Sequence, residues 1–492
     1  MPAVRRRTNR SVSISEAKLR ANENGTEHTA KTENTRIVKE MPHYGTKICH
    51  EARDSLFSSK SGFSDYRGFL NLCVILLAIS NARLFLENVL KYGILVDPFQ
   101  WLAAIFQDPY EWPNVLLMCA SNIFIVVAYY IELAVARSKI SNSVGIGFHV
   151  INQLGVVVLP PLQILMLEPH PIGSVFACGT YIIVFVKLWS YAQANSWYRE
   201  DYLKASNQKR KLRRTASMPD TRIDEKLNPE AIQVQYPYNL TIKNLYYFMC
   251  APTLCYELNY PRSIKIRRAF LLRRIIEVLF LLQLELALCQ QWIVPTLQKA
   301  IAPIHKLEGS RMLERLLRLA IPNHFMWLIF FYWFFHSVLN VIAEVLRFAD
   351  REFYRDWWNS ETIVYFWQAW NIPVHKWCTR HVYKPILKSG GSKFIAQVAV
   401  FLLSAFFHEY MVSIPLHVFP FWAFMGMLAQ IPLSAVTYWV SSRYSGHYGN
   451  MMVWFSLIVG QPMAILAYVY QYYVLQYGEV AAGTNPTTQI GS

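Results

Sequence analysis

Charged side chains are scarce in this sequence. Asp, Glu, Lys and Arg make up 16% of its 492 residues, whereas 53% are hydrophobic. A soluble domain carries about 25% charged residues, so the shortage excludes an ordinary soluble enzyme. The apolar residues fall into separate runs of roughly 20, the length that a helix needs to cross a bilayer. We expect an all-α polytopic membrane protein. Its predicted transmembrane helices, about nine in number, lie near residues 70–90, 114–136, 145–167, 173–192, 269–294, 321–346, 394–416, 418–441 and 451–475.

Metal-binding patterns are also missing. The eight cysteines form no CxxC pair, and no cysteine–histidine cluster has the spacing of a zinc site. We therefore expect neither a metal nor a bound cofactor. No repeat of about 20–50 residues is evident, which counts against the inverted repeats of many transporters. The first residues are polar and basic and lack an apolar signal segment, so insertion is expected to rely on the first internal span.

The positive charge is distributed unevenly along the chain. The formal net charge of +16 comes from the amino-terminal tail, the loop at 138–143 and the stretch QKRKLRR at 208–214. Acidic residues such as Asp97 and Glu168 occupy the intervening loops. This alternation follows the positive-inside rule and predicts a cytosolic amino terminus and a lumenal carboxyl terminus. It also argues against nucleic acid as a partner.

The composition divides the chain into seven predicted segments. They are a disordered basic cytosolic tail (1–60), transmembrane helices one to four (61–192), a cytosolic linker (193–240), an interfacial segment with helices five and six (241–350), a cytosolic region that begins with the run FYRDWWN (351–393), helices seven to nine (394–477) and a polar lumenal tail (478–492).

A histidine interrupts one apolar run, VAVFLLSAFFHEYMVSIPL. Ionisable residues inside a bilayer are costly and are therefore candidate functional sites. From a helix start near Phe394, His408 would lie roughly 21 Å along the helix, past the centre of a hydrocarbon core about 30 Å thick. A neutral histidine there would act as a general base for a hydroxyl group. Ser404, one turn earlier on the same face, would alternatively form a nucleophile pair with it. A structurally satisfied histidine and a proton relay remain open.

The block from Phe353 to Lys393 combines five tryptophans with several lysines and arginines. Basic and aromatic side chains suit a phosphorylated ligand that carries a ring. An aromatic belt at the membrane surface would have much of the same composition. It would not require the amides of Asn359, Gln368 and Asn371, which favour a ligand site.

Three motifs connect these features to a known family. FYRDWWNS, NIPVHKW and SAFFHEY resemble the membrane-bound O-acyltransferases (MBOAT) of the sterol-acyltransferase branch, and the likeness runs from about Asp54 to Tyr477. The resemblance implies the MBOAT fold around an intramembrane reaction chamber. It also implies the endoplasmic reticulum membrane and a homodimer or homotetramer formed through the amino-terminal segment.

The resemblance also implies roles for particular residues. His408 would be the catalytic histidine and Asn371 a second functional polar residue. With the polar residues of the aromatic block, the predicted acyl-CoA-binding set is Trp357, Trp358, Asn359, Gln368, Trp370, His375, Tyr383 and Lys393. With the neighbours of the histidine, the predicted chamber set is Ser404, Glu409, Met427, Gln430 and Gln461.

The implied reaction is transfer of an acyl chain from acyl-CoA, a substrate, to diacylglycerol, which forms triacylglycerol. Within the same class, the alternative acceptors are sterol, retinol and long-chain alcohols. From other classes, the alternatives are a lipid transporter that uses the intramembrane charges as a relay, and a catalytically silent scaffold.

Overall fold

The structure is a computed structural model, and it covers most of the predicted membrane region. It describes residues 85–97, 112–215, 234–305 and 309–482, with the single positions 75, 79, 82 and 99. Residues 79–492 form one compact unit, to which nearly all of these positions belong. The predicted tail at 1–60, the amino-terminal dimer contact and most of the predicted lumenal tail lie outside the described residues.

Helices dominate the described residues, among which no strand occurs. The α-helices are α1 (Pro113–Ala136), α2 (Asn142–Leu167), α3 (Pro171–Thr215), α4 (Ile242–Cys250), α5 (Arg268–Leu288), α6 (Val294–His305), α7 (Gly309–Phe331), α8 (Leu339–Val345), α9 (Ile363–Ala369), α10 (Ile372–Cys378), α11 (Lys384–Lys388), α12 (Lys393–Leu416), α13 (Trp422–Leu428), α14 (Gln430–Arg443) and α15 (Gly446–Ala482). Three π-helical turns, Cys289–Ile293, Tyr332–Val338 and Thr379–Tyr383, and one 3-10 turn, Trp357–Asn359, connect some of them.

Helix boundaries follow local sequence signals. The side chain of Ser141 accepts a hydrogen bond from a backbone N–H in the first turn of α2, and Ser392 does the same for α12. Such caps satisfy N–H groups that have no partner within the helix. The start of α1 instead has Pro113 in its first turn, where the missing N–H is not needed.

Seven helical stretches in the described part of the chain are long and apolar enough to cross a membrane. They are Pro113–Ala136, Asn142–Leu167, Pro171–Gln208, Met312–Val345, Lys393–Leu416, Trp422–Arg443 and Gly446–Leu475. The all-α membrane architecture is therefore confirmed, and the number nine is not. Much of the predicted span at 70–90 lies outside the described residues. The predicted span at 269–294 forms α5, which is less apolar because it carries Arg273, Arg274, Glu277 and Glu285.

Helix α3 extends beyond the span predicted from its apolar run. It continues without a break to Thr215, so the first part of the predicted linker is helical. At 1.5 Å per residue its 45 residues measure roughly 68 Å, about twice the thickness of a hydrocarbon core. The polar end of the helix therefore projects out of the apolar layer.

A buried lysine connects α3 to the short helix α4. The Nζ atom of Lys187 donates to the backbone carbonyl oxygens of Phe248, Met249 and Ala251 at 2.8–2.9 Å. These carbonyls lie at the carboxyl end of α4, where backbone acceptors lack helical partners and a cation is favoured. Lys187 is therefore satisfied by backbone oxygens. The same core includes Tyr410 and Ile414 of α12, so α12 packs directly on this half of the protein.

Candidate active site

His408 projects from the middle of α12 into an interior space. Protein atoms surround it on nearly every side, yet its ring is exposed. The histidine expected to be buried is therefore accessible, because it faces an opening between helices. Counted from Lys393, the first residue of α12, His408 lies roughly 22 Å along the helix axis. A substrate held in this space would meet the imidazole deep within the protein.

The ring orientation of His408 is set by the turn that precedes it. Its Nδ1 atom lies 2.8 Å from the backbone oxygen of Ser404 and 3.4 Å from the Ser404 hydroxyl. A carbonyl oxygen only accepts hydrogen bonds, so Nδ1 carries the proton. The lone pair then belongs to Nε2, which has no hydrogen-bond partner among the described residues. This tautomer leaves Nε2 ready to accept a proton and does not activate the Ser404 hydroxyl.

Gln430, the first residue of α14, lies beside the face of α12 that carries His408. The indole Nε1 of Trp367 donates to Oε1 of Gln430 at 3.4 Å, and the Trp367 ring packs edge-on against Phe401 at 6.4 Å. Phe401, Ser404 and His408 are spaced three and four residues apart and share one helix face. Trp367 therefore places Gln430 beside that face. Trp367 was not among the predicted site residues.

Gln461 approaches from α15. Its Oε1 accepts from Nδ2 of Asn323 at 3.4 Å. Two turns further along α15, the hydroxyl of Tyr468 donates to Oε2 of Glu409 at 2.7 Å. Because seven residues are close to two full turns, Gln461 and Tyr468 share a face. That face contacts α12 at Glu409, the neighbour of His408. Tyr468 was not among the predicted site residues either, although its spacing of seven residues from Gln461 predicts that the two share a helix face.

Glu409 is a buried structural connection between three helices. Besides Tyr468, its carboxylate accepts from the backbone N–H groups of Phe421 at 3.1 Å and Phe424 at 3.0 Å, and from the hydroxyl of Ser413. These bonds join α12 to the start of α13 and to α15. Glu409 makes no hydrogen bond to His408. Its contacts hold α12 against α13 and α15, and its predicted place in the chamber stays a prediction. Met427 of α13 is also buried.

Asn371 caps a short helix between the aromatic block and α12. Its Oδ1 accepts from the backbone N–H of Val374 at 3.2 Å, which leaves the amide Nδ2 available to a ligand. One turn later, burial and the nearby charge of Arg355 lower the pKa of His375, so this ring is neutral near pH 7. No hydrogen bond joins Asn371 to His408 in the described part of the chain. The two residues remain a predicted pair.

The FYRDWWN run is divided between core and surface. Trp357 is 3% exposed and packs its ring against Trp327, Phe331 and Trp454. A side chain this deep in the core has no free face in this structure, and the predicted binding role of Trp357 stays a prediction. Trp358 is 44% exposed, and Asn359 beside it is also exposed.

The other predicted acyl-CoA residues spread over the same region. Gln368 and Lys393 are exposed, whereas Trp370 and Tyr383 are half-buried. The ring of Trp370 contacts that of Trp367, with the centroids 5.9 Å apart, and Trp367 in turn donates to Gln430. Lys393 is the first residue of α12, the helix that carries the histidine.

A second histidine in this region is a structural residue and was not among the predicted site residues. His381 is 2% exposed and stacks on Trp197 with ring planes 2° apart. Its Nε2 lies 2.8 Å from the Ser190 hydroxyl and its Nδ1 lies 2.6 Å from Oε1 of Gln193. Burial, with the charge of Arg380, lowers the pKa of His381 to about 3. The ring is neutral and enclosed, so it holds α3 against the π-helical turn.

The fold and the site define a class: a polytopic helical membrane protein with an accessible histidine deep between its helices. No group of three potential metal ligands occurs among the residues that the structure describes. The model of the membrane-bound O-acyltransferase family matches residues 174–470. The chain belongs to this family.

Curated relatives match most of the chain. It is 53% identical over 435 residues to Diacylglycerol O-acyltransferase 1 of Homo sapiens, covering 88% of this chain and 86% of the relative. It is 54% identical over 440 residues to the protein of the same name from Bos taurus, with coverages of 89% and 87%. The Dictyostelium discoideum protein of that name is 38% identical over 437 residues, with coverages of 89% and 67%.

Proposed function

We propose that this protein is an O-acyltransferase that transfers an acyl chain from acyl-CoA to diacylglycerol and releases triacylglycerol. Membership of the family and the relatives named Diacylglycerol O-acyltransferase 1 support the reaction and the acceptor. The observation that carries the mechanism is the free Nε2 of His408 in an accessible interior space, with Nδ1 held by the Ser404 backbone.

The proposed chemistry is direct transfer with His408 as general base. Nε2 takes the proton from the free hydroxyl of diacylglycerol while the hydroxyl oxygen attacks the thioester carbonyl carbon. The resulting tetrahedral intermediate collapses, the C–S bond breaks, and the imidazolium returns its proton to the leaving CoA thiolate. One ester bond forms, one thioester bond breaks, and the histidine is regenerated.

Amide side chains would stabilise the oxyanion of that intermediate. Trp367 places Gln430 beside the helix face that carries His408, Gln461 shares a face of α15 with Tyr468, which contacts Glu409, and Nδ2 of Asn371 is free to donate. One well-placed donor contributes typically about 3–4 kcal/mol to such a step. Their hydrogen bonds to Trp367 and Asn323 use the amide oxygens. Nε2 of Gln430 also donates to the backbone oxygen of Gly426 at 3.2 Å, which leaves one of its two N–H groups for the substrate.

The two substrates would enter from different directions. The CoA head group would stay at the cytosolic side near the exposed Trp358 and Lys393, and its pantetheine arm would carry the thioester along α12. Diacylglycerol would enter from the bilayer between helices. The alternation of basic and acidic loops supports a cytosolic amino terminus and a lumenal carboxyl terminus. We place the protein in the endoplasmic reticulum membrane as a homodimer or homotetramer.

An acceptor panel tests the proposal. Purified protein in nanodiscs receives labelled oleoyl-CoA with dioleoylglycerol, cholesterol, retinol or hexadecanol, and the esters are separated and counted. We expect triacylglycerol to form with the highest kcat/KM. Faster formation of sterol, retinyl or wax ester would assign the acceptor differently. Lipid movement across vesicles without any covalent product would instead favour a transporter.

A further inference from the structure

His324 of α7 is a buried histidine whose ring nitrogens have no partner among the residues that the structure describes. It is 9% exposed, and neither Nδ1 nor Nε2 makes a hydrogen bond to any of those residues. A buried polar group without a partner is unfavourable, and native proteins supply one from the chain, from water or from a ligand. The proposed mechanism gives this residue no role.

The ring of His324 is nevertheless held in one orientation. It stacks on Trp327 at 5.5 Å and meets the edge of Trp454 at 5.4 Å with the planes 77° apart. Aromatic neighbours on two sides fix the ring plane without using either nitrogen. This arrangement orients a donor and an acceptor and leaves both buried without a partner among the described residues.

Helix α15 contacts both His324 and Glu409, the neighbour of His408. Trp454, Gln461 and Tyr468 are each seven residues apart and share one face of that helix. Along this face, Trp454 contacts His324, Gln461 accepts from Asn323, and Tyr468 reaches Glu409 beside the catalytic histidine. The contacts to His324 and to the neighbour of His408 therefore occur on one face of α15, at positions fourteen residues apart.

We propose that His324, with the amide of Gln461, forms a polar subsite that binds an ester carbonyl of the acylglycerol acceptor. The inference rests on the proposed function, because it places the free hydroxyl of the same molecule at His408. Neutral imidazole has one N–H donor, Nε2 of Gln461 supplies another, and an ester carbonyl only accepts. Sterols, retinol and fatty alcohols carry no ester carbonyl. The subsite would therefore select acylglycerols among lipids with a free hydroxyl.

The selectivity follows from the energetics of unpaired groups. A site built to hydrogen-bond a substrate discriminates against an analogue that lacks the group, because its own buried polar atoms then stay unpaired. A matched pair of ligands isolates this effect. Dioleoylglycerol and its dialkyl ether analogue share two long chains and a free hydroxyl, and the analogue lacks both carbonyl oxygens.

The test measures equilibrium binding of these two lipids to the full chain in nanodiscs, without acyl-CoA. We expect the wild-type protein to bind the ester lipid about tenfold more tightly, equivalent to about 1.4 kcal/mol. His324→Phe keeps the ring contacts and removes both nitrogens, so it should bind the two lipids equally. His324→Gln restores a donor and should recover part of the preference.

Matched variants separate binding from folding. His336→Phe changes another histidine of the same membrane segment, one that is already paired with the Tyr354 hydroxyl at 2.8 Å. It should keep the ester preference. If His324→Phe does not fold, Gln461→Leu provides the same measurement from the other side of the subsite. The thermal midpoint of His324→Phe should not be lower than that of wild type, because the change removes unpaired polar atoms.

Each outcome decides one question. Equal binding of the two lipids by wild type would overturn the inference and indicate that the ring binds only water. An undiminished ester preference in His324→Phe would overturn it too. The assay needs no acyl transfer. Suppose that wild type makes no triacylglycerol, prefers the ester lipid, and that His324→Phe loses this preference. That result would overturn the proposed function and leave the subsite intact.

Discussion

Nδ1 of His408 donates a hydrogen bond to the backbone carbonyl oxygen of Ser404, 2.8 Å away on the preceding turn of α12. A backbone acceptor is present whatever side chain occupies position 404. The helix itself thus selects the tautomer whose free nitrogen faces the interior space. A separate carboxylate is not needed to orient the ring, and the adjacent Glu409 serves other helices.

Replacing the base removes the reaction and should leave the fold intact. We expect His408→Ala to reduce kcat for triacylglycerol synthesis by about 10²–10⁴-fold, the usual contribution of a general base. Its thermal unfolding should stay close to that of wild type, because the ring is exposed and makes one hydrogen bond within its own helix. Labelled oleoyl-CoA and dioleoylglycerol measure the rate.

The matched control for that variant lies at the end of the same helix. His417 is the C-cap of α12, has a φ of 56°, and approaches the backbone oxygen of Ile164 at 3.2 Å. His417→Asn retains a residue that tolerates a left-handed backbone, and it should retain synthesis. Near-normal synthesis by folded His408→Ala would exclude the histidine as the base.

Ser404→Ala distinguishes direct transfer from an acyl-enzyme. The variant keeps the carbonyl that orients His408 and removes the hydroxyl that lies 3.4 Å from Nδ1, so we expect a kcat within about twofold of wild type, consistent with direct general-base transfer. Rapid-quench experiments should detect no acyl group on the protein. A burst of acylated enzyme, together with a loss in Ser404→Ala as large as in His408→Ala, would show that the serine is a nucleophile.

The carboxylate of Glu409 should matter chiefly for stability. Tyr468→Phe removes one hydrogen bond to a buried charged acceptor, which typically contributes about 1.5–3 kcal/mol. We expect a lower thermal midpoint in detergent and an unchanged pH profile of kcat. Glu409→Gln should be less stable still, and combining the two should cost less than their sum because they share one bond. An unaltered midpoint in Tyr468→Phe would contradict this role.

The sequence marks candidate chemical residues of the site more clearly than it predicts their surroundings. A histidine in an apolar run is conspicuous because ionisable groups are rare in bilayers, and His408 was selected for that reason. Gln430 and Gln461 are also amides in apolar runs, but the resemblance to the family is what assigned them to the chamber. These signals depend on composition within one helix.

Burial and pairing between distant segments could not be predicted in the same way. Trp357 and Trp358 are adjacent and chemically identical, yet tertiary packing buries one and exposes the other. Likewise, the acceptors of Lys187 lie about sixty residues further along the chain. Which backbone carbonyls a buried lysine meets depends on how α4 docks on α3, and no local pattern encodes that docking.

The stability of the protein should fall in acid partly because of His381. Its folded pKa of about 3 lies below the ordinary value of 6.5, so the unfolded chain binds more protons between these pH values. The contribution of His381 is complete above pH 6.5 and decreases as the pH falls, by up to about 1.4 kcal/mol per pH unit. We expect the thermal midpoint to fall between pH 7.5 and 5.5.

A non-titrating side chain tests that assignment. His381→Gln should be less stable than wild type at pH 7.5, because Ser190 and Gln193 lose a well-placed partner. Its further loss on moving to pH 5.5 should be smaller than that of wild type. Equal losses in the two proteins would assign the acid sensitivity to other groups.

The two adjacent tryptophans of FYRDWWN should give opposite phenotypes. Trp357 is packed among other aromatic rings, so Trp357→Ala should cost about 3–5 kcal/mol of stability and reduce the amount of folded protein. Trp358 has an exposed ring, and truncating it should change stability by less than about 0.5 kcal/mol. If Trp358 contacts the CoA moiety, Trp358→Ala raises KM for oleoyl-CoA severalfold and leaves KM for dioleoylglycerol unchanged. Thermal unfolding and steady-state kinetics of both variants in nanodiscs measure these effects. A raised KM for oleoyl-CoA in stable Trp357→Ala, with none in Trp358→Ala, would show that the buried ring moves to bind the substrate.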